Sequence, residues 1–223
     1  MSRTRVKICG VCRSQDAAAA ARAGADAIGI IFDPTSKRCV SADDAIKITA
    51  AIPPFVTSVG LFVNVTADEI RRMIEIVPLA AIQLQGDEPP EFVAKLKPIR
   101  VLKALHLKAG DTAMLARWRT AIRDLELTNL IGSLLETPST GPARGGTGIA
   151  NDFSGLQAMQ AAGNFAGLPP IIVAGGLTPA NVGEVVRLMR PFAVDVSSGV
   201  ESALREKSPE KMEAFIRAVH ASV

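Results

Sequence analysis

The chain has 223 residues, 48% of them hydrophobic and 21% charged, with a net charge of +3. That balance suits one globular domain over residues 1–223 and excludes a disordered chain. The scattered basic residues leave no footprint for nucleic acid or for an anionic membrane. Three cysteines (Cys9, Cys12 and Cys39) do not make a disulfide framework. No apolar run reaches the ~20 residues that span a bilayer, and MSRTRVKICG has no apolar signal-peptide core, so the expected location is a reducing cytoplasm.

In chain order, the first predicted strand is VKIC (6–9), followed by an Ala-rich helix from Ser14 to Ala23 with Gly24 as its stop. AIGIIF (27–32) is the second strand, and Ser41 precedes a helix with acids in its first turn. VTSVGLFV (56–63) is the third, and Thr66 with Glu69 forms a capping box for the next helix. AAIQLQ (80–85), RVLKAL (100–105) and LIGSLLE (130–136) follow, separated by helices at Pro90–Leu96 and Asp111–Asp124. A helix at Asp152–Ala162 leads to PIIVAG (170–175). Thr178-Pro-Ala-Asn is expected to open a helix ending near Met189, with Pro at its first position. AVDVSS (193–198) and a helix opened by Ser208-Pro-Glu complete the chain. Near-continuous apolar runs fit strands buried on both faces. Eight strand–helix units mean an α/β fold, either a closed (β/α)₈ barrel or a long doubly wound sheet.

In a barrel the active site lies at the C-terminal ends of the strands. Cys9 ends the first strand, Ser36 and Arg38 follow the second, and Gln85-Gly-Asp-Glu88 ends the fourth. Glu136 ends the sixth and is followed by Arg144-Gly-Gly-Thr-Gly148; Gly175-Gly176 follows the seventh, and Asp195 to Glu201 the eighth. The glycine clusters fit a phosphate cradle, because backbone N–H groups there can approach an anion. Cys9 and Glu136 are an acid/base pair in prospect. Lys7, two residues from Cys9 on the same strand, shares its face and is able to lower a thiol's pKa. The spacing Cys9-X-X-Cys12 also admits a redox dithiol or half a metal site. The barrel-like pattern argues against the first. The second would need further ligands from Cys39, His106 and His220, which have no paired spacing. His106 is expected in a solvated loop and His220 on the surface.

The stretches KICG (7–10), GIIFDPTSKR (29–38), VGLFVN (59–64), IQLQGDE (82–88), RGGTG (144–148), VAGGLTPANV (173–182) and DVSSGVE (195–201) resemble the phosphoribosylanthranilate isomerase family, in family order across nearly the whole chain. The resemblance implies a single (β/α)₈ TIM barrel with no cofactor and no metal. It implies an Amadori rearrangement of a phosphorylated small molecule in tryptophan biosynthesis, in a monomer or homodimer. Cys9 would be the base and Glu136 the acid. Lys7, Arg38, Gln85, Asp195 and Glu201 would contact substrate, with Arg38 near the anthranilate carboxylate. Gly145, Gly146, Gly175, Gly176, Ser197, Ser198 and Gly199 would hold phosphate. Three positions depart from the family pattern. Glu136 stands where Asp is usual, Gln85 where His is usual, and Cys12 where Thr or Ser is usual. The alternatives are a related sugar-phosphate barrel enzyme or a non-catalytic binder of a phosphorylated ligand.

Overall fold

A computed structural model describes residues 3–107, 110–136 and 152–222. Eight parallel strands close into a barrel in sequence order. They are β1 (Arg5–Ile8), β2 (Ala27–Ile31), β3 (Thr57–Phe62), β4 (Ala81–Leu84), β5 (Val101–His106), β6 (Leu130–Glu136), β7 (Ile171–Val173) and β8 (Ala193–Val196), and β1 pairs with both β2 and β8. The helices between and after them are α1 (Ser14–Ala23), α2 (Ala42–Ala50), α3 (Ala67–Ile76), α4 (Pro90–Lys95), α5 (Thr112–Asp124), α6 (Phe153–Ala161), α7 (Val182–Met189) and α8 (Pro209–His220).

Local chemistry accounts for the helix ends. Gly24 adopts φ 101° and its N–H closes α1 onto Ala20 and Ala21. Ser41 and Ser208 cap α2 and α8, and the Thr66–Glu69 capping box is formed at α3. One expected start is corrected. Thr178-Pro-Ala-Asn is a turn, and α7 begins only at Val182, because the Asn181 side chain accepts from Thr178 N (2.7 Å) and donates to Gly176 O (3.0 Å). These bonds fold the tetrapeptide back over the glycines rather than into a helix. A feature absent from the sequence reading is the antiparallel hairpin of β9 (Glu201–Ala203) and β10 (Glu206–Lys207), between β8 and α8.

Strand alternation divides the core in two. Ile8, Ile28, Ile82, Val101, Leu135 and Val194 pack outward in the cluster shared with the helices. The alternate set, including Val59, Ala81, Leu102, Ala104, Leu134, Ile172 and Ala193, fills the barrel. Cys9, Ile31 and Leu61 form a smaller apolar layer nearer the C-terminal mouth. No helix among the described residues is long and apolar enough to cross a membrane.

Candidate active site

The alternation that fills the barrel also aims its last side chains at the mouth. On β4 it takes Ala81 to Gln83 and then Gln85, on β6 Leu134 to Glu136, on β8 Ala193 to Asp195, and on β1 Lys7 to Cys9. There an open cavity is lined by Cys9, Arg38, Gln85, Glu136 and Asp195. Gly175, Gly176, Ser197, Ser198 and Gly199 form one wall, and Asp33, Ser36 and Gln83 also face it. Ten of the predicted site residues are therefore brought together. Lys7 and Glu201 are not on the cavity surface but stand behind residues that are. Gly145 and Gly146, with Arg144, lie outside the described residues.

Lys7 and Asp195 are cross-strand neighbours, with Lys7 Nζ 2.8 Å from Asp195 Oδ1 and both side chains buried. Burial alone would lower the Lys7 pKa, but Asp195 and the Cys9 thiol hold it above its ordinary value. The ammonium is therefore permanent. Both Lys7 and Cys9 lie over Gly29 of β2. A Cβ built there would fall 2.8 Å from Cys9 Sγ and 3.1 Å from Lys7 Nζ, so the missing side chain makes room for both. The Cys9 thiol is pushed up by burial, partly opposed by Lys7 and reinforced by Asp195. Lys7 thus lowers the thiol as its place on the strand leads one to expect, but burial outweighs it and the net direction is upward.

Glu136 is raised to about 7, chiefly by burial, with the Gln85 hydrogen bond and Lys7 opposing and Asp195 adding to it. Gln85 Nε2 donates to Glu136 Oε2 at 2.6 Å, and Gln83 Nε2 donates to Gln85 Oε1 at 2.6 Å. His106 is corrected from a solvated loop to the last residue of β5. It is half-buried and in register with Glu136, and its Nε2 donates to the Gln85 carbonyl (2.9 Å).

Arg38 is gripped from behind. Its Nε and Nη2 donate to the two Glu201 oxygens at 2.7 and 2.6 Å, and Lys207 Nζ reaches Glu201 Oε1 at 3.1 Å and Ser197 O at 2.9 Å. Burial raises the Glu201 carboxyl, but Arg38 and Lys207 outweigh it and hold the group below its ordinary value. Two cations against one anion leave this cluster a net positive charge, with Arg38 at the cavity wall to present it. Opposite, Gly175 (φ 89°) and Gly176 (φ 64°) adopt left-handed conformations that turn the chain sharply after β7. A Cβ on Gly199 would collide with the Leu177 carbonyl oxygen, so the loops after β7 and β8 touch backbone to backbone.

The sequence reading missed Gln83, Lys103, Arg205 and Lys207. Lys103 Nζ donates to Gly86 O (2.6 Å) and Leu84 O (3.3 Å) and pairs with Glu88 (2.9 Å), bracing the turn that carries Gln85. A lysine inside the apolar run RVLKAL was the available signal. Lys207 and Arg205, in a polar stretch, offered none.

The family model described as "PRAI: N-(5'phosphoribosyl)anthranilate (PRA) isomerase" matches residues 6–218. The chain belongs to the N-(5'-phosphoribosyl)anthranilate isomerase family. A Pseudomonas putida protein of that name is 44% identical over 220 residues, covering 98% of each chain. Among solved structures, the phosphoribosylanthranilate isomerase of Thermotoga maritima is 36% identical with a TM-score of 0.81, covering 98% of this chain and 99% of its own. A family member in complex with reduced 1-(o-carboxyphenylamino)-1-deoxyribulose 5-phosphate is 33% identical with a TM-score of 0.79, at the same coverage. Glu136 and Gln85, two of the positions at which the resemblance implies a departure, form a directly bonded pair.

Proposed function

We propose that this chain is the phosphoribosylanthranilate isomerase of tryptophan biosynthesis, with Glu136 as general acid and Cys9 as general base. The observation that carries the assignment is one cavity lined by a carboxyl that titrates near neutrality, a thiol beside a permanent ammonium, a guanidinium, and glycine–serine loops. In this reading Glu136 protonates the furanose ring oxygen of N-(5'-phosphoribosyl)anthranilate, and the ring opens to a Schiff base. Cys9 then takes the proton from C2. The resulting enolamine gives up its C2 hydroxyl proton and gains one at C1, which yields the ketose. Lys7 stabilises the Cys9 thiolate and Asp195 anchors Lys7. Arg38, held by Glu201, meets the anthranilate carboxylate. Gly175, Gly176, Ser197, Ser198 and Gly199 receive the phosphate, to which Gly145 and Gly146 would add. Lys7 and Glu201 act from behind the substrate-facing residues. The reaction is complete within one chain, so a monomer and a homodimer both accommodate it, and a cytoplasmic location suits its phosphorylated substrate.

The test follows the fluorescence of phosphoribosylanthranilate on addition of pure protein. Turnover is expected, and Cys9→Ala is expected to lose about 10²–10⁴-fold in kcat, the range of a positioned proton-transfer group. Unchanged turnover in Cys9→Ala would remove Cys9 from the mechanism.

A further inference from the structure

Gln83 is 1% exposed and its Oε1 is buried with no hydrogen-bond partner among the described residues, although the side chain faces the cavity. The amide order explains why. At one end Glu136 Oε2 accepts, and Gln85 presents Nε2 to it. Gln85 Oε1 then faces Gln83, which must present its own Nε2. Every donor in the row points towards Glu136, and the one unmatched acceptor is left at Gln83. Leaving a buried acceptor unmatched is destabilising, and an apolar residue would avoid it. The row also has a chemical consequence. Oε2 of Glu136 is occupied by the Gln85 donor, so the carboxyl's proton resides on Oε1.

We propose that Gln83 is a positioning residue for Glu136, acting through Gln85 to keep the acid's proton on Oε1, and that its own Oε1 accepts a hydrogen bond from a hydroxyl of the bound sugar. The proposal rests on Glu136 being the acid. Without Gln83, the Gln85 amide is free to turn its oxygen towards Glu136. The carboxyl then gives its proton to that oxygen instead of to substrate. With Gln83 in place and a sugar hydroxyl on its Oε1, the row is satisfied from end to end, and ligand binding locks the acid in its donating arrangement.

The experiment is a double-mutant cycle of Gln83→Met and Gln85→Met, with Glu136→Gln alongside. Gln83→Met is expected to lower kcat about 10- to 100-fold, as a misplaced reacting group does. Gln85→Met should do the same, and the double variant should be no slower than Gln85→Met alone. The lower limb of the pH–rate profile should move upward in both single variants, because a donor to the ionised Glu136 is lost. Asp195, Lys7 and His106, which also face Glu136, are unchanged across the set. Binding of reduced 1-(o-carboxyphenylamino)-1-deoxyribulose 5-phosphate should weaken about 5- to 10-fold in Gln83→Met, the loss of one neutral hydrogen bond. Multiplying kcat losses, or an unshifted limb, would overturn the relay, and unchanged affinity would overturn the hydroxyl contact. If Gln83→Met does not fold, Gln85→Met decides, since wild-type kcat and pH profile there would also overturn the relay. Undiminished turnover in Glu136→Gln is a different outcome, which sinks the acid assignment itself.

Discussion

In the proposed mechanism the productive form carries a proton on Glu136 and none on Cys9. Burial works against the second condition, pushing the Cys9 thiol up while Lys7 pulls the other way, and Glu136 sits at about 7. The base therefore loses its proton at higher pH than the acid, and the sign follows. Below about pH 7 Glu136 stays protonated and the rate climbs tenfold per pH unit with the thiolate fraction. Between about 7 and the Cys9 value, each gain in thiolate is offset by loss of protonated Glu136, so the rate is level. Above the Cys9 value it falls. The expected kcat/KM profile is a broad plateau whose lower edge belongs to Glu136, although Glu136 is the acid. In Glu136→Gln that edge should vanish, and the residual rate should go on rising through pH 7 to the Cys9 value. A variant that keeps the wild-type lower edge would show that another group sets it.

At the scale of elements, the β9–β10 hairpin splints the loop that carries Arg38. Glu201 at its start holds the Arg38 guanidinium. Near its tip, Arg205 Nη1 donates to the carbonyls on either side of Arg38, Lys37 O at 3.0 Å and Cys39 O at 2.8 Å. Arg205 takes φ 71° to do so, a conformation that disfavours an L side chain, so its two bonds offset a local strain. In the proposed mechanism Arg38 meets a carboxylate distant from the reacting carbons, so loosening it weakens ground and transition states alike. Arg205→Ala is expected to raise KM about tenfold, an equivalent of ~1.4 kcal/mol, with kcat unchanged; steady-state kinetics with a phosphoribosylanthranilate series would measure both. An unaltered KM would mean that Glu201 alone holds Arg38. The eight strands and the ends of α1, α2 and α3 were legible in the sequence because apolar runs and caps are local signals. Cys9, Glu136 and Asp195 were legible because strand-end position is local too. The hairpin, Arg205 and Lys207 were not, since their partners lie far away in sequence and appear only once the barrel closes. The start of α7 was misread because Asn181 turns its side chain back onto the loop, a choice that Pro at the expected first position concealed.

Across the whole molecule, the buried ionic clusters among the described residues gather at the C-terminal end of the barrel. They are Lys7–Asp195, Arg38–Glu201–Lys207 and Lys103–Glu88. Below them the barrel is filled with small and branched apolar side chains. Stability and chemistry are thus layered, and the layer nearest the chemistry is made of charges that depend on each other. Lys103–Glu88 is the case that separates the two roles, because it lies outside the cavity and yet braces the turn that bears Gln85. The side chains are 4% and 3% exposed, and Glu88 Oε1 also accepts from Asn64 N at 2.8 Å and Gly86 N at 3.2 Å. Lys103→Met would leave Glu88 buried without its cation while the backbone donors still need it. Removing one partner of such a pair costs about 3–5 kcal/mol. For a domain of this size that is a fall in Tm of roughly 6–20 °C. The exposed pair Lys47–Asp44, at 3.5 Å with side chains 71% and 52% exposed, is the internal control. Lys47→Met should change stability by less than about 1 kcal/mol. Thermal and urea unfolding of the two variants against wild type would measure the contrast. Equal losses would mean that the barrel mouth is open enough to water for its ion pairs to behave as surface pairs. The raised Glu136 carboxyl, which depends on the same exclusion of water, would then lose its physical cause as well.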